Sequence, residues 1–251
     1  MTNRIPLSVF IIAKDEADRI GATISSVIDW VDEVIVIDSG SEDDTVEISK
    51  SLGANTMFRE WEGYGPQKIF GEDQCKHNWV LNLDADEEVT PELKASIEHV
   101  FANDTPLCSA YKMHRKILFK YEKKPPSLAP GDNPIRLYDK TKAGFKDSTV
   151  HDSVVVKEGT TGQLTGLLLH RCFRDLHHWC HKINYYSTMQ AQDYINKGRN
   201  PSRLRIIFEP PLAFLKAYFL RRYCLYGIDG FVGSMLYAHA RMLRMAKARE
   251  L

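Results

Sequence analysis

Short apolar runs alternate with helical spacings through the first half of the chain. Residues 7–12 form an apolar run rich in β-branched types and bounded by polar ones, as a strand buried on both faces would be. Residues 15–29 then carry Ile20, Ile24, Val27 and Ile28 at helical spacing. Residues 34–37 predict a second buried strand, 45–52 a helix capped by Gly53, and 54–58 a third strand. The next strand falls at 79–83. A helix to about Phe101 follows, with Thr90 as N-cap, Pro91 in its first position and Glu92 in its first turn. Residues 109–119 and 135–138 read as strands separated by a Pro/Lys-rich loop at 120–134. Residues 154–156 and 164–169 add strands near the sheet edge. From about Arg174 the pattern is helical, broken at Asn200-Pro201 and again at Glu209-Pro210-Pro211. The expectation is an α/β fold with a mostly parallel sheet covered by helices on both faces. Residues 1–172 form the catalytic domain and 173–251 a helical extension packed on it.

Composition fits that size. The chain has 251 residues, 43% hydrophobic and 26% charged, enough for a packed core and unlike a disordered chain. Lys plus Arg and Asp plus Glu are equal at 33 each, so the whole chain gives no electrostatic direction. Its distribution does: residues 197–251 hold 11 basic and 3 acidic side chains, a balance of +8. Such a tail is suited to an anionic surface. Five scattered cysteines and no secretory signal at the N-terminus lead us to expect a reducing cytoplasm. No apolar run approaches the roughly 18 residues of a transmembrane span.

The strongest chemical signal is the run Trp79-Val-Leu-Asn-Leu-Asp-Ala-Asp-Glu-Glu. A buried strand ends in carboxylates, where open α/β sheets bind ligands. Asp84 and Asp86 are two apart, so in extended backbone both point to one side and could hold a hard divalent cation together with diphosphate oxygens. The plainer alternative is a solvated acidic turn before a helix. Asp38 ends the second strand similarly, and could accept hydrogen bonds from a base or ribose, or form a turn. No Gly-x-Gly-x-x-Gly follows the first strand and no Gly-x-x-x-x-Gly-Lys-Ser/Thr occurs, which argues against nicotinamide enzymes and P-loop proteins.

Three segments then carry a resemblance: Leu-Ser-Val-Phe-Ile-Ile-Ala-Lys-Asp-Glu-Ala-Asp-Arg-Ile, Val-Ile-Val-Ile-Asp-Ser-Gly-Ser-Glu-Asp-Asp-Thr and Leu-Asp-Ala-Asp-Glu. In order and spacing the chain resembles family 2 inverting glycosyltransferases of the GT-A fold. Gly63-Tyr-Gly-Pro-Gln-Lys and Val150-His-Asp are most similar to the lipopolysaccharide inner-core β-1,4-glucosyltransferases among them. The resemblance implies nucleotide contacts from Lys14, Glu16 and Asp38, and Asp84 and Asp86 near a Mg²⁺ or Mn²⁺ ion and the diphosphate. It also implies that Lys68 reaches the donor nucleotide or its phosphates, the alternative being a solvated lysine on a helix. Asp15 departs from the family's common Asn, which bears on donor contacts.

An inverting transfer needs a base for the acceptor hydroxyl. The candidate is Asp152, with His151 beside it to position substrate; the family more often has Glu here, and a polar turn before the next strand is the alternative. By the same resemblance His170 is a candidate metal ligand, against a core or capping role. Arg136 could bind phosphate or an acidic acceptor sugar, or form a sheet-edge salt bridge. Cys172, His177, His178, Cys180 and His181 do not have the spacing of a structural zinc site.

Residues 203–226 mix aliphatic and aromatic side chains with Arg203, Arg205, Lys216, Arg221 and Arg222, suiting helices that lie in a membrane interface. Packing on the catalytic domain or a dimer interface is the alternative. The expected partners are a UDP-sugar donor, UDP-glucose by resemblance, a lipid-linked saccharide acceptor and an anionic membrane surface; no nucleic acid is expected. The expected location is peripheral, on the inner face of the cytoplasmic membrane. Rival functions are a polyprenyl-phosphate glycosyltransferase, a sugar nucleotidyltransferase and a non-catalytic binding protein.

Overall fold

The computed structural model describes residues 4–102, 106–146 and 153–251. They divide into two compact units, the first made of residues up to Lys116 and from Gly131 to His170, the second of Ile117–Pro130 and Arg171–Leu251.

In the first unit β1 (Ile5–Ala13), β2 (Val31–Asp38), β3 (Asn55–Phe58) and β4 (Trp79–Asp84) are joined through α1 (Ile20–Ser25), α2 (Thr45–Ser51) and α3 (Tyr64–Gln74). Next come β5 (Glu87–Val89), α4 (Pro91–Val100), β6 (Ala110–Ile117), β7 (Gly131–Asp132), β8 (Ile135–Asp139), β9 (Ala143–Phe145), β10 (Val154–Val156) and β11 (Thr161–His170). The main sheet runs β3-β2-β1-β4-β8-β6-β11-β5, with β7 beside β6. Parallel pairing holds for β3, β2, β1 and β4, whereas β4–β8, β8–β6 and β5–β11 pair antiparallel. The sheet is therefore mixed, parallel in the half where helical crossovers link the strands. β10 pairs with β9 in a separate two-stranded sheet rather than at the edge of the main one.

Strand alternation sorts the core into two layers. Leu7, Val9, Ile11, Val34, Val36, Leu81 and Leu83 face Ile20 and Ile24 of α1 and Leu93 and Ile97 of α4. Phe10, Ile12, Ile35, Ile37 and Val80 face the other way, with Cys75 and the partly buried Phe70 of α3. Gly71 allows α3 to approach the sheet closely, since a Cβ there would stand 2.8 Å from the Phe10 ring. Thr90 caps α4 as expected, its hydroxyl accepting from the Leu93 amide at 3.3 Å. The first helix is shorter than its apolar spacing predicts, beginning only at Ile20.

The second unit holds α5 (Leu176–Asn196), α6 (Arg203–Leu215), a π-helical turn at Lys216–Leu220, a 3₁₀ turn at Tyr223–Tyr226 and α7 (Gly227–Glu250). Ala191 and Tyr194 of α5 pack with Met245 and Ala248 of α7. Lys247 of α7 donates to the Asn184 carbonyl at 2.7 Å and the Ser187 hydroxyl at 2.9 Å on α5. Phe119, from the excursion at Ile117–Pro130, joins Phe173, Trp179 and Tyr226 in an aromatic cluster.

The break expected at Pro210-Pro211 does not occur, for α6 runs through both prolines. Neither ring nitrogen can donate to the carbonyl four residues back, so Ile206 and Ile207 lose their usual helical donors. Glu209 anchors the same turn to its neighbours, accepting from Arg205 at 2.8 Å and from Arg244 at 3.0 Å, with Arg241 closer still. No helix of the described residues is long and apolar enough to cross a membrane.

Candidate active site

The carboxyl ends of three parallel strands form a row. Ala13 of β1 lies beside Asp38 of β2, and Ile12 beside Asp84 of β4. Lys14 thus leaves the sheet between two aspartates whose strands are about 10 Å apart at ordinary spacing. The chain builds β2 and β3 on one side of β1 and then crosses to β4 on the other. The row marks that reversal of strand order, where open α/β sheets take ligands.

Asp38 is buried and its carboxylate closes a turn. It accepts from the amides of Gly40 at 2.8 Å and Ser41 at 3.0 Å and from the Ser41 hydroxyl at 2.5 Å. The turn-forming reading describes these bonds. Gly40 takes φ +89°, a left-handed conformation that glycine adopts without strain. Asp15 sits at φ +53°, where Asp and Asn are the most tolerated non-glycine residues. Its carboxylate accepts from the Glu42 amide at 2.8 Å and its own amide donates to the Ser41 hydroxyl at 2.9 Å. An Asn oxygen could accept the same bond, so the departure at Asp15 leaves this latch between loops intact. Glu16 accepts from Arg19 Nε at 2.8 Å. Lys14 is exposed and its ammonium meets no partner among the described residues.

Asp84 sits in a cage of cations. Lys68, fully buried on α3, reaches Oδ1 at 2.8 Å, and Arg136 Nη2 reaches Oδ2 at 2.5 Å, with Arg115 3.8 Å away. Fully buried Glu87 accepts from Arg136 at 2.6 Å, from Arg115 at 2.7 Å and from the Asp84 amide at 3.0 Å. Arg115 also bridges to Asp132 at 2.6 Å. Three cations thus balance three carboxylates. Burial opposes ionisation of Asp84, but Arg136 and Lys68 outweigh it and hold the carboxyl well below its ordinary range. Lys68 is no solvated lysine. Nor is Arg136 at an edge: β8 lies between β4 and β6, and the guanidinium donates to Asn82 at 2.8 Å besides its two carboxylates.

Asp86 has different neighbours. The chain turns at residues 85–86 before β5, so the extended backbone expected to align Asp84 with Asp86 is absent. Asp86 Oδ2 meets Arg19 Nη1 at 3.2 Å, and Oδ1 meets His170 Nε2 at 3.4 Å. The pairing of β5 with β11 sets His170 opposite Glu87 and so brings the imidazole to Asp86. Burial raises the Asp86 pKa, and His170 and Arg19 reverse this to a net lowering.

The donor set fits a divalent ion in part. A carboxylate oxygen and an imidazole nitrogen 3.4 Å apart, both partly exposed, can serve as two ligands of one Mn²⁺ or Mg²⁺ whose other positions go to water and diphosphate. Asp84 is a poorer ligand than the sequence suggests, since both its oxygens already accept from cations. No cluster of three or more His, Cys, Asp or Glu suited to a metal occurs among the described residues. His151 and Asp152 lie outside the described residues.

Several site residues were not legible in the sequence. Arg19, Glu87 and Arg115 hold the aspartates, and Gln67 donates to the Ser39 hydroxyl at 3.0 Å beside Asp38. Glu87 stands in the acidic run that follows β4, and that run is the one sequence signal pointing to it.

Residues 8–154 match the family model described as Glycosyl transferase family 2, and the chain belongs to that family. It is a glycosyltransferase with an α/β fold. It is similar to an uncharacterized glycosyltransferase of Rickettsia prowazekii, 42% identical across 98% of this chain and 87% of the relative. It is also similar to LpsC of Rhizobium meliloti, a lipopolysaccharide core biosynthesis glycosyltransferase, 32% identical across 98% of this chain and 93% of LpsC. Among solved structures it is similar to residues 1–349 of TarS from S. aureus in complex with UDP-GlcNAc, at 13% identity and TM-score 0.46, covering 98% of this chain and 91% of that one.

Proposed function

We propose that this chain is an inverting glycosyltransferase that moves glucose from UDP-glucose to a lipid-linked saccharide such as the lipopolysaccharide inner core. The observation that carries the reading is the Asp86–His170 pair beside the caged Asp84, at the reversal of strand order. The similarity to LpsC supports the acceptor class.

Asp86 and His170 would hold a Mg²⁺ or Mn²⁺ ion, which supplies charge neutralisation for the diphosphate leaving group. Lys14, exposed between Asp38 and Asp84, binds the nucleotide or its phosphates. Lys68 and Arg136 act one step back: they keep Asp84 ionised and its position fixed. Asp152 removes the acceptor hydroxyl proton as that oxygen attacks the anomeric carbon from the face opposite the leaving group. His151 orients the acceptor.

The second unit supports work at the inner face of the cytoplasmic membrane. Leu204, Ile207, Phe208, Leu212 and Leu215 of α6 are each about half exposed or more, among basic side chains.

Release of UDP from a panel of UDP-sugars with Mn²⁺ tests the catalytic reading. Wild type should hydrolyse one donor slowly without acceptor, and Asp86→Ala should lose that turnover. Folded wild-type protein that neither binds nor turns over any UDP-sugar would refute it.

A further inference from the structure

Helix α6 presents an apolar stripe to solvent. Leu204, Phe208, Leu212 and Leu215 recur at helical spacing, and their exposures run from 48% to 66%. A helix in a water-soluble unit normally buries such a face. Alongside it lies a cavity of about 360 Å³ lined by Arg205, Phe208, Leu212, Lys216, Tyr237 and Arg241. Phe208 and Leu212 belong to both the stripe and the cavity wall.

The cavity is positively charged beyond what its own carboxylate offsets. Glu209 accepts from Arg205, Arg241 and Arg244, so one negative charge serves three guanidinium groups. Lys216 adds a fourth cation, exposed and with no side-chain partner among the described residues. Burial and the nearby Arg241 push the Arg244 pKa below its ordinary value, a sign that cations crowd here. An anion entering the cavity would relieve that crowding, and arginine forks suit phosphate oxygens.

We infer that this cavity seats the phosphate of an anionic membrane phospholipid, with the acyl chains lying along Phe208, Leu212 and the rest of the α6 stripe. The inference rests on the membrane reading above and makes it specific. Charge favours a lipid over a second copy of this chain, because two copies joined at this face would bring two cationic clusters together. A phosphate next to an apolar wall is the arrangement that a phospholipid at a bilayer surface offers.

Flotation of the full chain with vesicles tests it, comparing phosphatidylcholine alone with phosphatidylcholine containing phosphatidylglycerol. Wild type should float with the anionic vesicles only. Lys216→Gln, which breaks no ion pair seen here, should weaken binding about fivefold, and Lys216→Gln with Arg241→Gln about thirtyfold. Leu212→Ser should weaken it too. Circular dichroism and thermal melting establish that each variant folds, and Lys216→Gln alone keeps the test valid should Arg241→Gln not.

Wild type floating while both charge variants float equally well would overturn the cavity and leave the membrane reading standing. Equal flotation with neutral and anionic vesicles would likewise overturn it. No flotation of wild type, or a dimer that Leu212→Ser dissociates, would overturn both. UDP release, measured without vesicles, reports on the catalytic reading separately.

Discussion

Lys68, with no solvent-exposed surface, places its ammonium 2.8 Å from the Asp84 carboxylate at the carboxyl end of β4. A buried lysine is tolerated when paired, and here the pair ties α3 to the strand that carries the acidic motif.

Replacing Lys68 should therefore act through Asp84. Lys68→Met should lower stability by about 2–3 kcal/mol, less than the roughly 3–5 typical of breaking a buried pair, because Arg136 remains and Asp84 is partly exposed. Urea unfolding measures this. A change within error of zero would show that the contact contributes nothing.

Acid should expose the same cage. The folded Asp84 pKa lies well below the ordinary 3.8, so between those two values the unfolded chain binds more protons than the folded one. The stabilisation is complete above 3.8 and is lost as pH falls from there through the folded value. Asp84→Asn cannot titrate, so the stability gap between it and wild type should narrow on acidification through that window. A gap that does not change with pH would contradict the linkage.

His170 tests the metal pair. His170→Ala should weaken Mn²⁺ binding by at least about tenfold, the lower scale for losing even an outer partner of a metal site. Electron paramagnetic resonance of free Mn²⁺ reads this without turnover. Unchanged affinity would dismiss the ligand role of His170.

Asp152 tests the base. Asp152→Asn should reduce kcat by about 10²–10⁴-fold while leaving UDP-sugar affinity nearly intact. Full turnover would instead favour an acceptor that needs no deprotonation, such as a polyprenyl phosphate.

Legibility followed the range of the interaction. β1, β2 and β4 could be read because strands buried on both faces are continuous apolar runs, and Asp38 and Asp84 because they end those runs. Helix α3 was obscure: four of its residues, Gly65, Gln67, Lys68 and Gly71, are buried without being apolar, so no hydrophobic period marks it. The three-residue β5 contains two glutamates and holds its place by pairing with β11. The cage joins Asp84 to Lys68 across 16 positions and to Arg136 across 52, separations that local pattern cannot resolve. The proline pair misled for a related reason, since contacts from Arg241 and Arg244 of α7 support the turn that the prolines weaken.

Those prolines have a further consequence. The carbonyls of Ile206 and Ile207, deprived of their helical donors, must find hydrogens elsewhere, and hydrocarbon has none to give. Both residues immediately precede Phe208, which is 58% exposed. At the bilayer surface proposed above, water would have to stay within reach of those carbonyls, which would cap how far α6 could sink, like a keel of shallow draught.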